Sequence, residues 1–403
     1  MYIIKAKYIF LCDDDFTILK DKALVFDQNF KDIGDFEILS QKYPNAKPIK
    51  INNDSLILPA FINTHTHLEY SANSYTLAYG DFLKWVKSII KSRNALNQEA
   101  KEALILNAIK TMQKSGTGTI GEISSFGSDL IPCVKSSMRI VFFNEILGQN
   151  TKIKKKEFLK RFNLSLSYKN PLFIPALSIH APYSTHIDLA KYIIKLAKEK
   201  ELLLSTHFLE SKYEKQWLKD GSGKFKQWLS FAYENPKPFY DEKNFISLFK
   251  DMKTLFTHCV HIKDFDCFDK NLHSITHCAF SNRLLGKKTF DLKKALKNNI
   301  NINIGTDGLS SNISLSILDE LRANLLIHQN FDIINLAKKL ILMATKNAGA
   351  ALNLKLGEIK KDYIADFSVF DIKECNANEL ALKFLLNANE AKRLFIAGKN
   401  IIL

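Results

Sequence analysis

The sequence has neither the long apolar runs of a membrane protein nor the paired cysteines of a disulfide framework. No stretch of about 18 or more apolar residues, the length of a membrane-spanning helix, occurs in the 403 residues. The six cysteines form no C-x-x-C pair and follow no short disulfide spacing. The N-terminal segment MYIIKAKYIFLCDDDF lacks the basic region and apolar segment of a secretory signal. These absences predict a cytoplasmic protein that does not contact membranes.

Internal repeats and low-complexity linkers are also absent. A net charge of +15 is high enough to raise the question of nucleic-acid binding. The lysines, however, are spread along the whole chain instead of being clustered in one basic stretch. With 46% hydrophobic and 25% charged residues, the composition is that of an ordinary globular protein, and we predict no nucleic-acid partner.

The central part of the chain alternates short apolar segments with amphipathic helical patterns such as HIDLAKYIIKLAKEK. We interpret eight of the apolar segments as strands: LILPAFI, TGTIGEI, RIVFFNEI, LFIPALSIH, LLLSTHF, TLFTHCV, SITHCAF and NINIGTDG. Strands separated by helices indicate βαβ units and a parallel sheet. Eight such units predict a (β/α)₈ barrel of the α/β class, over residues 58–353.

The two ends of the chain differ from its centre. Residues 1–57 and 354–403 read as short strands separated by turns. Two β-rich ends that flank a barrel can pair with each other, so we predict a small composite β-sandwich domain built from both termini.

Histidines fall where the predicted strands end. His65 and His67, in LPAFINTHTHLEY, follow the first strand, and residues two apart on a strand point to the same side. Four further strands end at His180, His207, His258 and His277, and the eighth ends at Asp307. Barrels of this type place their functional residues at the carboxyl ends of the strands. A lone H-x-H could be two polar residues at a loop mouth, but this placement predicts a cation site.

The donor types fit a borderline cation such as Zn²⁺, which binds imidazole nitrogen and carboxylate oxygen. We predict His65, His67, His207 and Asp307 as ligands, with a water completing the site. Glu210 lies three residues after His207, close enough to shuttle protons, although alone it would be an ordinary solvated glutamate. His258 is placed to orient the attacking water. We interpret Cys259 and Cys278 as buried thiols, because their neighbours already occupy the positions that face the site.

These residues carry a resemblance to the amidohydrolase superfamily, in the branch that holds adenosine, guanine and S-adenosylhomocysteine deaminases and chlorohydrolases. It rests on LPAFINTHTH, THFLE, THCVH, HCAFSNRLLG, GTDGLSSNISLSILDELR, ATKNAGAALNL and LGEIKKDYIADFSVFD. The resemblance implies the barrel and the composite β-sandwich. It also implies His65, His67, His207 and Asp307 as ligands, Glu210 as proton shuttle and His258 beside the water.

Two departures from the superfamily pattern are informative. Members with two metals bridge their ions through a carboxylated lysine at the end of the fourth strand, where this chain has His180. The resemblance therefore implies one divalent ion per chain, Zn²⁺ or alternatively Fe²⁺, with His180 contacting the substrate. The loop after the seventh strand usually carries a proline, and here Cys278, Ala279 and Phe280 stand instead, so the wall of the pocket on this side departs from the family pattern.

The predicted reaction is hydrolytic deamination of an adenine nucleoside. Glu210 would protonate a ring nitrogen, and Asp307 would take the proton of the attacking water. Removal of chloride from a triazine would use the same residues, as would deamination of guanine. A metal-binding protein without catalysis would not need Glu210 together with His258, so their presence argues against that class.

Further segments resemble the aminodeoxyfutalosine deaminases of menaquinone biosynthesis: GEISSFG, FFNEILG, APYSTH and YGDFLKWVKSIIKSR. That substrate carries a carboxyphenyl arm, for which Arg93 and Arg283 are candidate partners, and Glu145 is a candidate for the ribose hydroxyls. Adenosine, methylthioadenosine and S-adenosylhomocysteine remain alternative substrates. Residues 211–250 form a long aromatic excursion that either lines the pocket or packs on the barrel. A homodimer is possible.

Overall fold

The chain is described by a computed structural model that covers residues 1–73, 77–92 and 97–401. Five strands precede the central barrel: β1 (Tyr2–Phe10), β2 (Ile18–Phe26), β3 (Phe30–Gly34), β4 (Lys47–Ile49) and β5 (Ser55–Pro59). β1 pairs antiparallel with β2 and parallel with β4 and β5. The apolar side chains of these strands face a core that the C-terminal part of the chain completes.

Eight consecutive parallel strands form the barrel sheet. They are β6 (Phe61–Thr66), β7 (Thr117–Ser124), β8 (Arg139–Ile146), β9 (Phe173–Ile179), β10 (Leu204–Phe208), β11 (Thr254–His258), β12 (His273–His277) and β13 (Asn301–Ile304). Each pairs with the next in chain order. The first and last strands come together just beyond β13, where the Asp307 amide donates a hydrogen bond to the His65 carbonyl at 3.0 Å. The predicted (β/α)₈ architecture is confirmed.

Helices connect and surround the strands. They are α1 (Phe36–Lys42), α2 (Phe82–Ser92), α3 (Gln98–Lys114), α4 (Leu130–Lys135), α5 (Thr151–Ser167), α6 (Ile187–Lys200), α7 (Lys212–Asp220), α8 (Gly223–Leu229), α9 (Glu242–Ser247), α10 (Ala279–Leu285), α11 (Leu292–Lys297), α12 (Ile317–Ile327), α13 (Ile333–Met343), α14 (Lys346–Ala351) and α15 (Leu380–Asn387), with 3₁₀ turns at Leu68–Asn73 and Ala377–Glu379. α6 shows how an amphipathic pattern forms such a helix. Leu189, Ile193 and Ala197 are buried on one face, and lysines in its last turn interact favourably with the negative end of the helix dipole.

The C-terminal strands complete the second sheet. β14 (Phe367–Asp371), β15 (Arg393–Ile396) and β16 (Lys399–Ile401) extend it in the order β16-β15-β14-β5-β1-β2-β3, with β4 beside β1. The prediction that both ends of the chain build one sheet unit is confirmed, and that unit is a mixed sheet. The domain limits predicted at 57/58 and 353/354 stay a prediction.

The first predicted barrel strand, LILPAFI, is divided in the structure. Its first half is β5, which pairs with β14 in the mixed sheet, and its second half is β6 of the barrel. Pro59 has no amide hydrogen to donate to a ladder, and Ala60 turns away to donate to the Asp366 carbonyl at 3.0 Å. Only Ala60 therefore separates the two sheets along the chain.

A buried ion pair also joins the two sheets. The Arg139 guanidinium, at the start of β8, donates to Asp366, just before β14, through Nε at 3.0 Å and Nη2 at 3.1 Å. Both side chains are only 3% exposed, so loss of either partner would leave an uncompensated buried charge.

Over the described ranges, no helix is both long and apolar enough to cross a membrane.

Candidate active site

Four predicted ligands converge at the carboxyl ends of the barrel strands. His65 is the last residue but one of β6 and His67 follows that strand, His207 lies in β10 and Asp307 follows β13. The Nε2 atoms of His67 and His207 are 3.1 Å apart. Asp307 Oδ1 lies 3.6 Å from His67 Nε2 and 3.8 Å from His65 Nε2. Three of these residues, His65, His67 and Asp307, offer donor atoms that lie within 4.8 Å of one another.

The hydrogen bonding of this cluster fits a bound cation. His65 Nε2 is buried and has no hydrogen-bond partner in the described part of the chain, whereas its Nδ1 lies 3.1 Å from Thr257 Oγ1. Burial, reinforced by neighbouring histidines, lowers the pKa of both His65 and His207 well below the ordinary value. These imidazoles are therefore neutral at pH 7, which is the form that binds a metal.

Asp307 is held in its ionised form by several donors. Ser281 Oγ and Ser311 Oγ donate to its Oδ2 at 2.7 Å and 3.0 Å, and the Gly308 amide donates to Oδ1 at 2.9 Å. Burial opposes ionisation, but the nearby histidines and the Ser281 hydroxyl outweigh it and keep the Asp307 pKa below its ordinary value. The carboxylate is thus both charged and fixed in orientation.

Three residues at the site have a positive φ angle, a left-handed backbone conformation that residues other than glycine rarely adopt. The φ angles are 74° at His258, 60° at Asp307 and 49° at Leu209, which precedes Glu210. Such residues cost about 1–3 kcal/mol each and persist only where surrounding contacts hold them. The ends of β10, β11 and β13 are therefore shaped by tertiary contacts that aim these side chains.

Glu210 and His258 face each other beside the cluster. Glu210 Oε1 lies 3.6 Å from His258 Nε2, and that nitrogen lies 3.9 Å from Asp307 Oδ2. Burial, with the charges of Asp307 and Glu214, raises the Glu210 pKa well above its ordinary value. The Glu210 amide donates to Glu214 Oε2 at 3.0 Å, which fixes the turn that carries it. A neutral carboxyl group at this position can donate a proton.

A cavity opens from the cluster towards solvent. It is lined by His67, Tyr70, Trp85, Val86, Ile89, Ile90, Ser125, Leu147, His180, Tyr183, Ser184, His207, Glu210, Trp228, His258, Asp307 and Ser310. One wall is α2, which is tied to the loop after β13 by Trp85 Nε1 donating to the Ser310 carbonyl at 2.7 Å. The cavity is apolar apart from the histidines, the two carboxyl groups and a few hydroxyls, and no described lining residue is lysine or arginine.

Two predicted substrate contacts occupy different depths. His180 lines the cavity, and its carbonyl lies 2.9 Å from His207 Nδ1, so it also orients that ring. Glu145 lies beneath the cavity floor: it is fully buried, accepts from Ser125 Oγ at 2.5 Å and lies 3.7 Å from His207 Nδ1. Burial raises the Glu145 pKa to about 7. Glu145 thus contacts a predicted ligand and does not line the cavity.

Of the two predicted arginines, the structure describes only Arg283, and it does not line the cavity. Arg283, in α10, is exposed and lines a separate shallow depression with Phe280 and Ile313. Arg93 lies outside the residues that the structure describes. Any role of either in binding substrate remains a prediction.

The aromatic excursion serves mainly to pack. Trp217 and Phe225 are buried in the main core, and Tyr240 is buried with its hydroxyl donating to the Thr185 carbonyl at 3.2 Å. Phe231, by contrast, is 88% exposed. Trp228 alone among the aromatic residues of 211–250 lines the cavity, with Phe225 packed against it.

Sequence reasoning missed the residues that support the site from a distance. Ser281 and Ser311 hold Asp307, Thr257 orients His65, and Trp85 closes one wall. All four lie within segments already quoted for the resemblance: THCVH, HCAFSNRLLG, GTDGLSSNISLSILDELR and YGDFLKWVKSIIKSR. The signal was thus present, but spacing along the chain does not reveal which side chain meets which.

Gly305→Ala is expected to displace His65 and to lower both metal content and activity. A Cβ at position 305 would lie 2.7 Å from His65 Cβ and 2.8 Å from Thr276 Cγ2. Such overpacking costs about 1–3 kcal/mol. Gly34→Ala is the matched control, since its Cβ would come no closer than 3.8 Å to Leu39. Wild-type Tm, metal content and rate in Gly305→Ala would show that this close approach does not position His65.

A parallel barrel with a buried cluster of histidines and an aspartate at the carboxyl ends of its strands defines a metal-binding barrel protein. The chain belongs to the Amidohydrolase family, which its residues 56–401 match. It is 40% identical over 391 residues to the aminodeoxyfutalosine deaminase of a Nitratiruptor species, covering 95% of this chain and 96% of that protein. The resemblance inferred from the sequence is confirmed.

Two relatives from Helicobacter pylori extend this likeness. An adenosine deaminase from this organism is 41% identical over 410 residues, covering 99% of each chain. The crystal structure of H. pylori aminofutalosine deaminase in complex with methylthio-coformycin superimposes on the whole of this chain. Its TM-score is 0.95, at 38% identity, with 100% of both chains covered.

Proposed function

We propose that this protein deaminates an adenine nucleoside hydrolytically, with aminodeoxyfutalosine as its substrate. The observation that carries the proposal is the buried carboxyl group of Glu210, which faces His258 beside Asp307 and the histidine cluster in one cavity. Full-length relatives named aminodeoxyfutalosine deaminase and aminofutalosine deaminase support it. The reaction converts the adenine base and water into hypoxanthine and ammonia.

His65, His67, His207 and Asp307 would hold one divalent cation, Zn²⁺ or alternatively Fe²⁺. The unpartnered, buried His65 Nε2 and the neutral rings around it suit such an ion. When bound, the ion supplies Lewis acidity, which makes water a nucleophile near neutral pH. A single ion is in keeping with His180, in place of lysine, at the end of β9.

The side chains around the cluster divide the proton transfers between them. Glu210, whose raised pKa favours the protonated form, gives its proton to a ring nitrogen of the base, which makes the adjacent carbon more electrophilic. Asp307, held ionised, accepts the proton of the attacking water and passes it to the departing amino group, which leaves as ammonia. The Glu210 carboxylate regains a proton from the new hydroxyl group as the carbonyl of hypoxanthine forms. His258 Nε2 faces both carboxyl groups and orients that water. His180 contacts the substrate from the cavity wall, and Glu145 supports it from below through His207.

A broader nucleoside specificity is the second candidate. The described cavity lining offers apolar side chains and no lysine or arginine, which suits a small apolar substituent such as that of methylthioadenosine. The relative named adenosine deaminase and the ligand methylthio-coformycin in the other relative's structure agree with this possibility.

A rate comparison on four nucleosides decides between the two candidates. We expect kcat/KM for aminodeoxyfutalosine to exceed that for methylthioadenosine, adenosine and S-adenosylhomocysteine. Pairing the carboxylate arm with a partly desolvated arginine contributes about 1.5–3 kcal/mol, which corresponds to roughly tenfold to a hundredfold. The measurement follows ammonia release and the change in absorbance from adenine to hypoxanthine. Equal rates on methylthioadenosine and aminodeoxyfutalosine would instead indicate a general deaminase.

Two arginine variants test whether an arginine accounts for the expected preference for aminodeoxyfutalosine. Arg93→Met should remove the preference if Arg93, one of the two candidate arginines, is the partner of the carboxylate. Arg283→Met tests the other candidate, and its position in a separate depression leads us to expect the preference to survive. A preference unchanged in both variants would support the proposed substrate and show that neither arginine accounts for it.

A homodimer, a cytoplasmic location and a place in menaquinone biosynthesis stay predictions.

A further inference from the structure

A chain of hydrogen bonds leads away from His258 into the protein. His258 Nδ1 lies 2.9 Å from Asn282 Oδ1. The Asn282 Nδ2 lies 3.2 Å from His277 Nδ1, and His277 Nε2 lies 3.1 Å from His328 Nε2. All four side chains are buried. They come from four places in the fold: the end of β11, α10, the end of β12 and the residue after α12.

The donor and acceptor atoms along these hydrogen bonds determine which ring nitrogen of each histidine carries the hydrogen. An amide oxygen only accepts, so His258 must carry its hydrogen on Nδ1, and the neutral ring then presents a lone pair at Nε2. The amide nitrogen only donates, so His277 accepts at Nδ1 and carries its hydrogen on Nε2, towards His328. His277 ends a barrel strand like the other histidines of the rim, but it does not line the cavity.

We propose that Asn282 is a positioning residue that sets the tautomer of His258, and that the His277–His328 pair fixes the orientation of the Asn282 amide. If the amide were reversed, its NH₂ would face His258 Nδ1 and the ring hydrogen would move to Nε2. That hydrogen would point at Glu210 and Asp307, 3.6 and 3.9 Å away. His258 could then no longer accept a hydrogen bond from water at Nε2.

The consequence for the reaction rests on the proposed function. With its lone pair at Nε2, His258 accepts a hydrogen from the attacking water and turns a lone pair of the water oxygen towards the base. Neighbouring groups that orient a functional histidine through its other nitrogen commonly contribute 10–100-fold in activity. Asn282 does not line the cavity, so its loss should lower kcat and leave KM nearly unchanged.

Kinetics of matched variants test the positioning role. Asn282→Leu removes both hydrogen bonds and is expected to lower kcat about 10–100-fold. Asn282→Asp keeps an acceptor for His258 and should retain most of that rate. In a His258→Ala background, Asn282→Leu should cause no further loss, because residues that act through one another are not additive. The exposed Asn107, on α3, provides a control as Asn107→Leu.

Two kinetic results would overturn the proposal. One is an equal loss from Asn282→Leu with and without His258, and the other is an Asn282→Asp variant as slow as Asn282→Leu. Metal content and Tm are measured for every variant, so that a folding defect is recognised. His328→Phe tests the role of the His277–His328 pair. It should also lower kcat, because it removes the partner of His277 and therefore weakens the hold of His277 on the Asn282 amide.

Nitrogen NMR of the zinc-loaded protein tests the tautomer without relying on activity. With ¹⁵N-labelled histidine, the His258 ring signals are identified by their absence in His258→Ala. We expect Nδ1 to be protonated in the wild type and in Asn282→Asp, and a mixture of tautomers in Asn282→Leu. A His258 protonated at Nε2 in the wild type, or unchanged in Asn282→Leu, refutes the proposal. A failure to deaminate any nucleoside would refute only the proposed function.

Discussion

Glu210→Gln is expected to lower kcat of deamination by roughly 10²–10⁴, the usual contribution of a positioned acid–base group. The amide has nearly the shape of the carboxyl group but cannot give its proton to the base. Glu210 is held for this task by the turn that Glu214 fixes at 3.0 Å, and its raised pKa favours the protonated form. Binding of substrate depends mainly on the other cavity walls, so KM should change much less than kcat.

The control for this prediction is Glu234→Gln, the same substitution at an exposed position of the aromatic excursion. It should leave kcat, KM and Tm at their wild-type values. Glu210→Gln itself should keep its metal and its fold. A Glu210→Gln rate within threefold of wild type would reduce Glu210 to an ordinary buried glutamate.

Removal of a predicted metal ligand is expected to have the largest effect. His65→Ala and Asp307→Ala should each lower metal content below the approximately one ion per chain that we expect in the wild type. An ion of this kind contributes several kcal/mol to the transition state, and about 4 kcal/mol corresponds to roughly a thousandfold in rate. Elemental analysis of the purified protein measures metal content, and the assay for ammonia measures the rate.

His261→Ala serves as the control for ligand removal. His261 follows the site histidine His258 by three positions, but it belongs to none of the described groups that could hold a metal. We expect normal metal content and nearly normal activity. Two ions per chain in the wild type, or full metal content and activity in both His65→Ala and Asp307→Ala, would contradict the assignment.

The location of the site was predictable because of the geometry of parallel strands. Their carboxyl ends meet at one rim of the barrel, so histidines near the strand ends were expected to lie near one another, although His277, which ends β12, does not line the cavity. His67 and His207 illustrate this, since they are 140 positions apart in the sequence and yet their Nε2 atoms lie 3.1 Å apart. The strand pattern alone was sufficient for this part of the site.

The walls of the site were not predictable from the pattern. Trp85 contacts the Ser310 carbonyl from far away in the sequence, and no local periodicity encodes such a contact. Arg283 follows a rim strand, but the direction of α10 carries its side chain to a different surface. The aromatic residues of the excursion look alike in sequence, and only tertiary packing buries Phe225 and exposes Phe231.

The division of LILPAFI into β5 and β6 has a consequence for the timing of folding. β5 pairs with β14, for example through Leu58 and Ser368, and one residue after β5 the chain enters β6, the strand that carries His65. β1, the other partner of β5, is synthesised before it, but β14 is synthesised roughly three hundred residues after it. Contacts of such long separation form slowly, and a chain still emerging from the ribosome cannot make them. If His65 holds an ion as proposed, we therefore expect the ion to be captured only after the chain is complete.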